Sequence, residues 1–256
     1  MYYLIQSNIY SDPEHFKVFE VLEDLGLEYE TIELSSDATS VEIKSDREDV
    51  FVYGSVKLAR LSKANTHWNP GSFYGGNHNF EIISKHYKSH LLNANAEVFE
   101  FGQSINWKEG ETKFIKPYQD AKVFTGKVFT QLKWNDFVNE ALTHPKTERL
   151  NSKTLVQASV PQKLYKEARL WVVGQQIVGS VYYRFHGDVP FHTKVDDEGI
   201  LFANEMIEIF NVADAFVMDI GLTNDGWKIV EVNCINSAGF YNLNVRTLFR
   251  ALEAYF

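Results

Sequence analysis

The first part of the chain alternates short apolar runs with segments of helical spacing. Three apolar runs have the length of strands: residues 2–6, 28–34 and 49–53. The sequence Ser11-Asp12-Pro13-Glu14 is a helix start signal, Gly26 follows the expected helix as its stop, and a short helical segment is predicted to run through Leu61. Strands that alternate with helices predict a parallel sheet in a small α/β lobe.

The pattern changes to a β-rich one in the rest of the chain. Residues 65–79 contain many turn-forming residues and predict a surface loop. We place a domain boundary shortly after this loop, which gives an α/β domain over 1–85 and a second domain over 86–256. In the second domain we predict strands at 113–116, 123–129 and 155–160 and helices at 134–142 and 243–255. Two hairpins complete the pattern, so the predicted fold class is α/β (α+β).

The later hairpin places two acidic residues opposite each other. It runs over 215–232 with Asn224-Asp225-Gly226 as a three-residue loop. This register pairs Asp219 with Glu231 on one face, and Asn233 points the same way. The opposite face carries apolar side chains and is predicted to face the core: Phe216, Met218, Ile220, Val230 and Val232.

Directly opposed carboxylates have Cβ atoms about 4.5–5.5 Å apart and repel each other. The repulsion is relieved if one carboxyl is protonated, if an arginine bridges the two, or if a cation lies between them. Mg²⁺ is the natural cation because it prefers hard oxygen ligands, and Asn233 would add an amide oxygen. A solvated charged face with a shifted register is the alternative interpretation of Asp219 and Glu231.

The earlier hairpin is predicted around Gly174-Gln175, with glycine first as a type II′ turn prefers. This register places four large side chains on one face: Glu167, Arg169, Trp171 and Arg184. Such a face is either a surface patch of salt bridges or a site that binds a polyanion while Glu167 accepts hydrogen bonds from a sugar.

A lysine at a strand end is a further candidate for binding phosphate. Lys116 is followed by a loop that continues to Thr125 and Gly126, and such a lysine can contact phosphate oxygens. The loop holds one glycine, which is a weak signal for a phosphate cradle. Near the C-terminus, Arg246 lies in the first turns of the last helix. It either contacts a substrate carboxylate or acyl phosphate, or is a surface arginine beside a plain helix cap.

Composition narrows the function classes. The chain has 25 basic and 34 acidic residues and a net charge of −9, which argues against binding nucleic acid or an anionic membrane by charge alone. One cysteine, Cys234, excludes an internal disulfide framework and a cysteine-rich zinc site, and is typical of a reducing compartment. Runs of about 18 apolar residues, which a membrane span needs, do not occur. We therefore expect a soluble cytoplasmic protein.

Taken together, these residues resemble the nucleotide site of the ATP-grasp superfamily over about residues 85–256, and the first lobe is similar to the domain that usually precedes an ATP-grasp core. The most specific stretch is Asp219 followed by Glu231-Val232-Asn233, which resembles the magnesium-binding triplet of ribosomal-protein glutamate ligases. Residues 116–126 and 233–241 are most similar to a small branch of the superfamily proposed to make amide bonds.

The resemblance implies that ATP and Mg²⁺ bind between two β-rich subdomains. It assigns Asp219, Glu231 and Asn233 to the metal and Lys116, Arg184 and Arg246 to catalysis. Contacts with the nucleotide fall to ten residues: Lys116, Lys122, Thr125, Gly126, Gln157, Ala158, Val160, Glu167, Arg169 and Arg184. A second phosphate-binding lysine is expected, for which Lys85 and Lys88 compete.

The activity that the resemblance implies is a carboxylate–amine ligase that forms an amide or peptide bond through an acyl phosphate. Its partners would be small-molecule or peptide carboxylates and amines. Two alternatives stay open: a small-molecule kinase on the same scaffold, and a nucleotide-binding module without turnover.

Overall fold

The computed structural model describes residues 1–9, 14–118, 123–144, 150–185 and 194–256. The chain divides into two compact units. The first unit combines Met1–His78 with Leu164–Phe256, and the second unit is Asn79–Lys163. The boundary near residue 85 stays a prediction. No helix of the described ranges has both the length and the apolar character needed to cross a membrane.

The first unit begins with the predicted parallel sheet. Its elements are β1 (Tyr2–Gln6), α1 (Lys17–Leu25), β2 (Tyr29–Ile32), β3 (Val50–Tyr53) and α2 (Val56–Ser62). The strand order is β2-β1-β3, and both pairings are parallel. Gly26 ends α1 with a φ of 65°, a left-handed conformation that glycine adopts without strain. The helix start signal at 11–13 lies outside the described residues.

The second unit is an antiparallel sheet with helices. Its elements are α3 (Phe80–Tyr87), β4 (Glu97–Glu100), β5 (Thr112–Pro117), β6 (Lys127–Thr130), α4 (Gln131–Thr143) and β7 (Leu155–Ser159). The strand order is β4-β7-β5-β6. The prediction of a strand over 123–129 was too long, because pairing with β5 begins only at Lys127. The core of this unit is mostly aromatic and includes Phe99, Phe101, Phe129 and Trp134.

The first unit resumes with a larger antiparallel sheet. Its elements are β8 (Lys166–Val173), β9 (Gln176–Phe185), α5 (Asp197–Ile209), β10 (Ala215–Thr223), β11 (Gly226–Cys234) and α6 (Val245–Tyr255). The strand order is β11-β10-β8-β9. Both predicted hairpins are present, and the predicted α/β fold class is confirmed.

The hairpin turns differ in detail from the predictions. Gly174 and Gln175 both have positive φ, 56° and 64°, which is the pattern of a type I′ turn and not of type II′. In the later hairpin Thr223 pairs with Gly226, so the loop has two residues and not three. A register shift between Asp219 and Ile220 then takes up the extra residue, and Asp219 still pairs with Glu231.

One hydrophobic core joins the two sheets of the first unit. The last helix contributes its predicted apolar stripe, and all four of its residues are buried: Val245, Leu248, Phe249 and Leu252. These side chains pack in one cluster with Tyr3 and Phe51 of the parallel sheet and Trp171 and Val217 of the antiparallel sheet. The antiparallel sheet is therefore fixed against the N-terminal lobe along the half of its face that lies nearest to this core.

A buried asparagine ties the segment after β11 to the parallel sheet. The amide Nδ2 of Asn236 donates to the carbonyl oxygens of Val52 at 2.7 Å and Gly71 at 3.2 Å. Its Oδ1 accepts a hydrogen bond from the backbone N–H of Phe73 at 2.8 Å, and its own carbonyl accepts from Gly54 at 2.8 Å. Asn236 thereby fixes the turn that follows Asn233.

We expect the Asn236→Ala variant to lose about 2–4 kcal/mol of unfolding free energy, because it leaves several buried backbone groups without a partner. Urea unfolding followed by circular dichroism measures this loss. The matched control is Asn244→Ala, since Asn244 is exposed and makes no capping hydrogen bond through its side chain. A loss below about 1 kcal/mol for Asn236→Ala would contradict the assigned role.

Candidate functional site

Three charged residues lie side by side on one face of the antiparallel sheet. Asp219 on β10 pairs in register with Glu231 on β11 and, on its other side, with Arg169 on β8. Because residues in register on adjacent strands point to the same face, one face presents an arginine between strands that carry carboxylates. Of the three ways to relieve the repulsion between Asp219 and Glu231, the structure shows the bridging arginine.

The guanidinium of Arg169 binds Asp219 with both of its parallel donors. Nε donates to Oδ1 at 2.8 Å, and Nη2 donates to Oδ2 at 2.7 Å. Nη2 also lies 4.0 Å from Oε1 of Glu231, and Nη1 donates to the carbonyl oxygen of Gly239 at 3.3 Å. Arg169 and Asp219 are both buried, with 7% and 1% of their surface exposed.

Glu231 and Asn233 form the accessible side of this cluster. The side chain of Glu231 is 44% exposed. Nδ2 of Asn233 donates to Oε1 of Glu231 at 2.9 Å and to Oδ2 of Asp219 at 3.4 Å. The three residues predicted to bind a metal are therefore in mutual contact, and the exposed carboxylate is that of Glu231.

The electrostatics of the pair follow from burial and from the charges around it. Burial raises the pKa of Asp219 to about 6, with a further contribution from Glu231, and the ion pair with Arg169 opposes this rise. Burial acts to lower the pKa of Arg169, but the charge of Asp219 outweighs it and the pKa is raised. At pH 7 the two groups therefore form an ion pair.

A second group of contacts surrounds Glu167 at the neighbouring end of β8. A register shift in β9 leaves Tyr183 as an extra residue, so that Tyr183 and Arg184 both reach Glu167. Arg184 Nη1 donates to Oε1 at 2.7 Å and the Tyr183 hydroxyl donates to Oε2 at 3.1 Å. Burial and the nearby carboxylates raise the pKa of Tyr183, which keeps the hydroxyl protonated as a donor. Both oxygens of Glu167 thus accept hydrogen bonds within the protein.

Two tyrosines that the sequence analysis did not assign to the site lie over Arg169. Tyr183 and Tyr241 stack with ring centroids 5.3 Å apart, and the guanidinium carbon of Arg169 lies 4.7 Å from the centroid of Tyr241. Tyr241 has a φ of 48°, and Asn242 after it has a φ of 64°, so two residues in the left-handed region turn the chain beneath this ring. Tyr241 keeps 46% of its surface exposed and covers the arginine from the solvent side.

The predicted nucleotide contacts of the second unit form a separate group. Gly126 lies against the β5 lysine, since a Cβ atom at Gly126 would come within 2.7 Å of Cβ of Lys116 and 2.9 Å of the Phe114 ring. Only glycine permits this approach. Thr125 beside it is exposed, and Lys122 lies outside the described residues.

The predicted adenine-binding linker is mostly a paired strand. Gln157 pairs with Lys116 on one side and Val98 on the other, and Ala158 is likewise paired on both sides. Both residues are buried, with 2% and 3% of their surface exposed. Val160 comes after the end of β7 and is 71% exposed. The nucleotide contacts of this segment stay a prediction.

Three further basic candidates have other partners or settings. Arg246 forms an ion pair with Asp24 of α1, and no contact recorded among the described residues joins it to the carboxylate cluster. Lys85 forms an ion pair with Glu81 at 2.9 Å one helical turn away, and Lys88 has a φ of 47° at the end of α3. The roles of these residues stay predictions.

The donor set at Asp219, Glu231 and Asn233 fits Mg²⁺ in kind. Two carboxylates and one amide oxygen are the hard ligands that this ion prefers, and Mg²⁺ commonly binds through one or two carboxylates with the remaining positions filled by water or phosphate. A cluster of three or more histidine, cysteine or carboxylate side chains, typical of a metal cage built by protein alone, does not occur within the described ranges. The group is therefore suited to a metal that arrives with a phosphate ligand.

Comparisons with known proteins agree with this geometry. The structure is similar to D-cycloserine synthetase DcsG, with a TM-score of 0.65, 11% identity and 99% of each chain covered. A RimK domain protein ATP-grasp from Sphaerobacter thermophilus DSM 20745 gives a TM-score of 0.59 at 14% identity, with 92% of each chain covered. The ATP-grasp ligase PsnB in complex with a minimal precursor, Mg and ADP gives 0.55 at 13% identity, over 99% of this chain and 97% of that chain. At these identities the likeness shows the fold.

A search of curated protein sequences finds no match. Residues 54–252, which include all three members of the oxygen cluster, match the model of an ATP-grasp domain family, the third family of its clade. This match covers well over half of the chain. The chain therefore belongs to this ATP-grasp domain family and, with it, to the ATP-grasp superfamily.

Proposed function

We propose that this protein is an ATP- and Mg²⁺-dependent ligase that joins a carboxylate to an amine through an acyl phosphate, forming an amide or peptide bond. The observation that carries the proposal is the contact of Asp219, Glu231 and Asn233 on one sheet face in a chain of the ATP-grasp superfamily. The similar fold of PsnB, whose structure contains Mg, ADP and a precursor, and that of D-cycloserine synthetase support it.

The metal would be held by Glu231, Asn233 and Asp219 and would neutralise phosphate charge when bound. Phosphoryl transfer asks a protein mainly for positioning and for neutralisation of charge. Arg184 has a side chain that is 55% exposed, so its guanidinium can turn from Glu167 towards a phosphate. Lys116 in the second unit would bind phosphate oxygens through its ammonium group.

Glu167 is the proposed ligand of the ribose hydroxyls. Its two oxygens already accept from Arg184 and Tyr183, so a sugar hydroxyl has to share or replace one of these donors. We propose that Arg184 is the donor that is replaced, since it is the more exposed of the two. The nucleotide then recruits the arginine to its phosphates as its ribose takes the place of the guanidinium.

The substrates would be a small-molecule or peptide carboxylate and an amine, and the protein would act in the cytoplasm, where ATP is abundant and Cys234 stays reduced. The defining experiment incubates the protein with ATP, Mg²⁺ and panels of acids and amines, and measures ADP release. Hydroxylamine is added in parallel, because it converts an acyl phosphate into a hydroxamate but leaves a phosphorylated alcohol unchanged.

Hydroxamate formation together with ADP release supports the ligase. ADP release with an alcohol acceptor and no hydroxamate would establish the kinase alternative. Nucleotide binding without turnover across a broad panel would leave a binding module, and failure to bind ATP at all would exclude the proposal.

The Lys116→Ala variant is expected to bind ATP about 10- to 100-fold more weakly, because it loses a charge-assisted contact with phosphate. Isothermal titration with a non-hydrolysable ATP analogue measures the change. Lys113→Ala is the matched control: Lys113 lies three residues earlier on the same strand and forms an ion pair with Glu111 at 3.0 Å. Equal effects of the two substitutions would remove Lys116 from the site.

A further inference from the structure

Arg169 occupies the position in the carboxylate cluster where a cation is needed. Its Nη2 atom lies 2.7 Å from Oδ2 of Asp219 and 4.0 Å from Oε1 of Glu231. Two-metal sites place their ions about 3.5–4 Å apart around shared oxygen ligands. The guanidinium therefore contacts the carboxylates from a place that a second metal ion would otherwise fill.

Several contacts hold the guanidinium in this place. It binds both oxygens of Asp219 and the carbonyl oxygen of Gly239, and the ring of Tyr241 covers it at 4.7 Å. Arg169 and Asp219 are almost completely buried. Moving the arginine away would leave two buried charges without compensation, which is strongly unfavourable.

The remaining side of the cluster is open to one ion. Glu231 has a half-exposed side chain, and the amide of Asn233 contacts both carboxylates. An ion on this side can be held by Glu231 and Asn233 and can share one oxygen of Asp219, while Arg169 keeps the other.

We propose that Arg169 is a permanent counter-ion of Asp219, so that the site takes one divalent ion with the nucleotide and not two. This inference rests on the proposed function, because it assumes that a metal–nucleotide complex binds here. Arg169 acts in it as a positioning residue: it fixes Asp219 and replaces the charge of a second metal.

The test counts Mn²⁺ ions bound in the presence of a non-hydrolysable ATP analogue, by electron paramagnetic resonance and isothermal titration. We expect the wild-type protein to bind one Mn²⁺ per chain and to show the spectrum of an isolated ion. Arg169→Met should admit a second Mn²⁺ and give the spectrum of two coupled ions. Arg169→Lys, which keeps a cation, and Arg184→Met, which removes an exposed arginine of the same face, should both stay at one ion.

Two coupled ions in the wild-type protein would overturn the inference and leave the proposed function intact, as would a single ion in folded Arg169→Met. If the wild-type protein binds neither Mn²⁺ nor the analogue, the proposed function fails and this inference fails with it. If Arg169→Met does not fold, the counts for the wild-type protein and Arg169→Lys decide: one isolated ion in both supports the inference, and two in either overturns it.

Discussion

Glu231→Ala is expected to lower the rate of ADP release by about 10²–10³-fold or more while the protein stays folded. Glu231 is the most accessible carboxylate of the oxygen cluster, and its side chain is 44% exposed. Loss of a group that neutralises developing charge has an effect of this size in enzymes. The fold should tolerate the change at a cost of about 1 kcal/mol or less, since an exposed carboxylate contributes little to stability.

The measurement combines ADP release with a thermal unfolding curve of each protein. Glu205→Ala serves as the control, because Glu205 is an exposed glutamate on α5 in the same unit. A Glu231→Ala variant with wild-type turnover would remove Glu231 from the metal site and with it the main support for the proposed function.

Asp219→Ala is expected to destabilise the protein by about 3–5 kcal/mol, because it leaves Arg169 buried without its two charged acceptors. The contribution of the pair depends on both partners. Replacing both residues by apolar ones of similar size, as in Arg169→Met with Asp219→Leu, should restore most of the loss.

Urea unfolding of the single and double variants gives the coupling energy between the two residues. Asp197→Ala is the control, because the ion pair of Asp197 with Lys194 has side chains that are 89% and 83% exposed and contributes at most about 1 kcal/mol. If Asp219→Ala costs no more than this control, the ion pair with Arg169 does not stabilise the fold.

The acidic pair could be predicted from sequence because it depends on local periodicity. Alternation with a period of two and a glycine-containing turn were enough to place Asp219 opposite Glu231. The predicted turn was one residue too long, and the register shift beside Asp219 corrects for the difference. The pair is therefore reached by either register.

The partner of the pair could not be predicted in the same way. Arg169 meets Asp219 because β8 lies beside β10, and this pairing joins strands separated by β9 and α5 in the chain. Periodicity within a strand carries no information about which distant strand lies next to it. The hypothesis of a bridging arginine was available from the residue types, but its identity required the sheet order.

The two tyrosines over Arg169 depend on backbone irregularities. Tyr183 reaches Glu167 only because the register shift in β9 makes it an extra residue beside Arg184, and Tyr241 depends on a left-handed backbone at a residue that is not glycine. Both features oppose local preferences. Such exceptions are common where a fold builds a site.

The compensation between turn and register shift has a practical consequence for the hairpin of β10 and β11. Asn224 and Asp225 at its tip are exposed, and an added residue can be absorbed along the ladder before it reaches the carboxylates. A fluorophore attached at the tip would therefore report on nucleotide binding from a short distance while leaving the chemistry of the sheet face undisturbed.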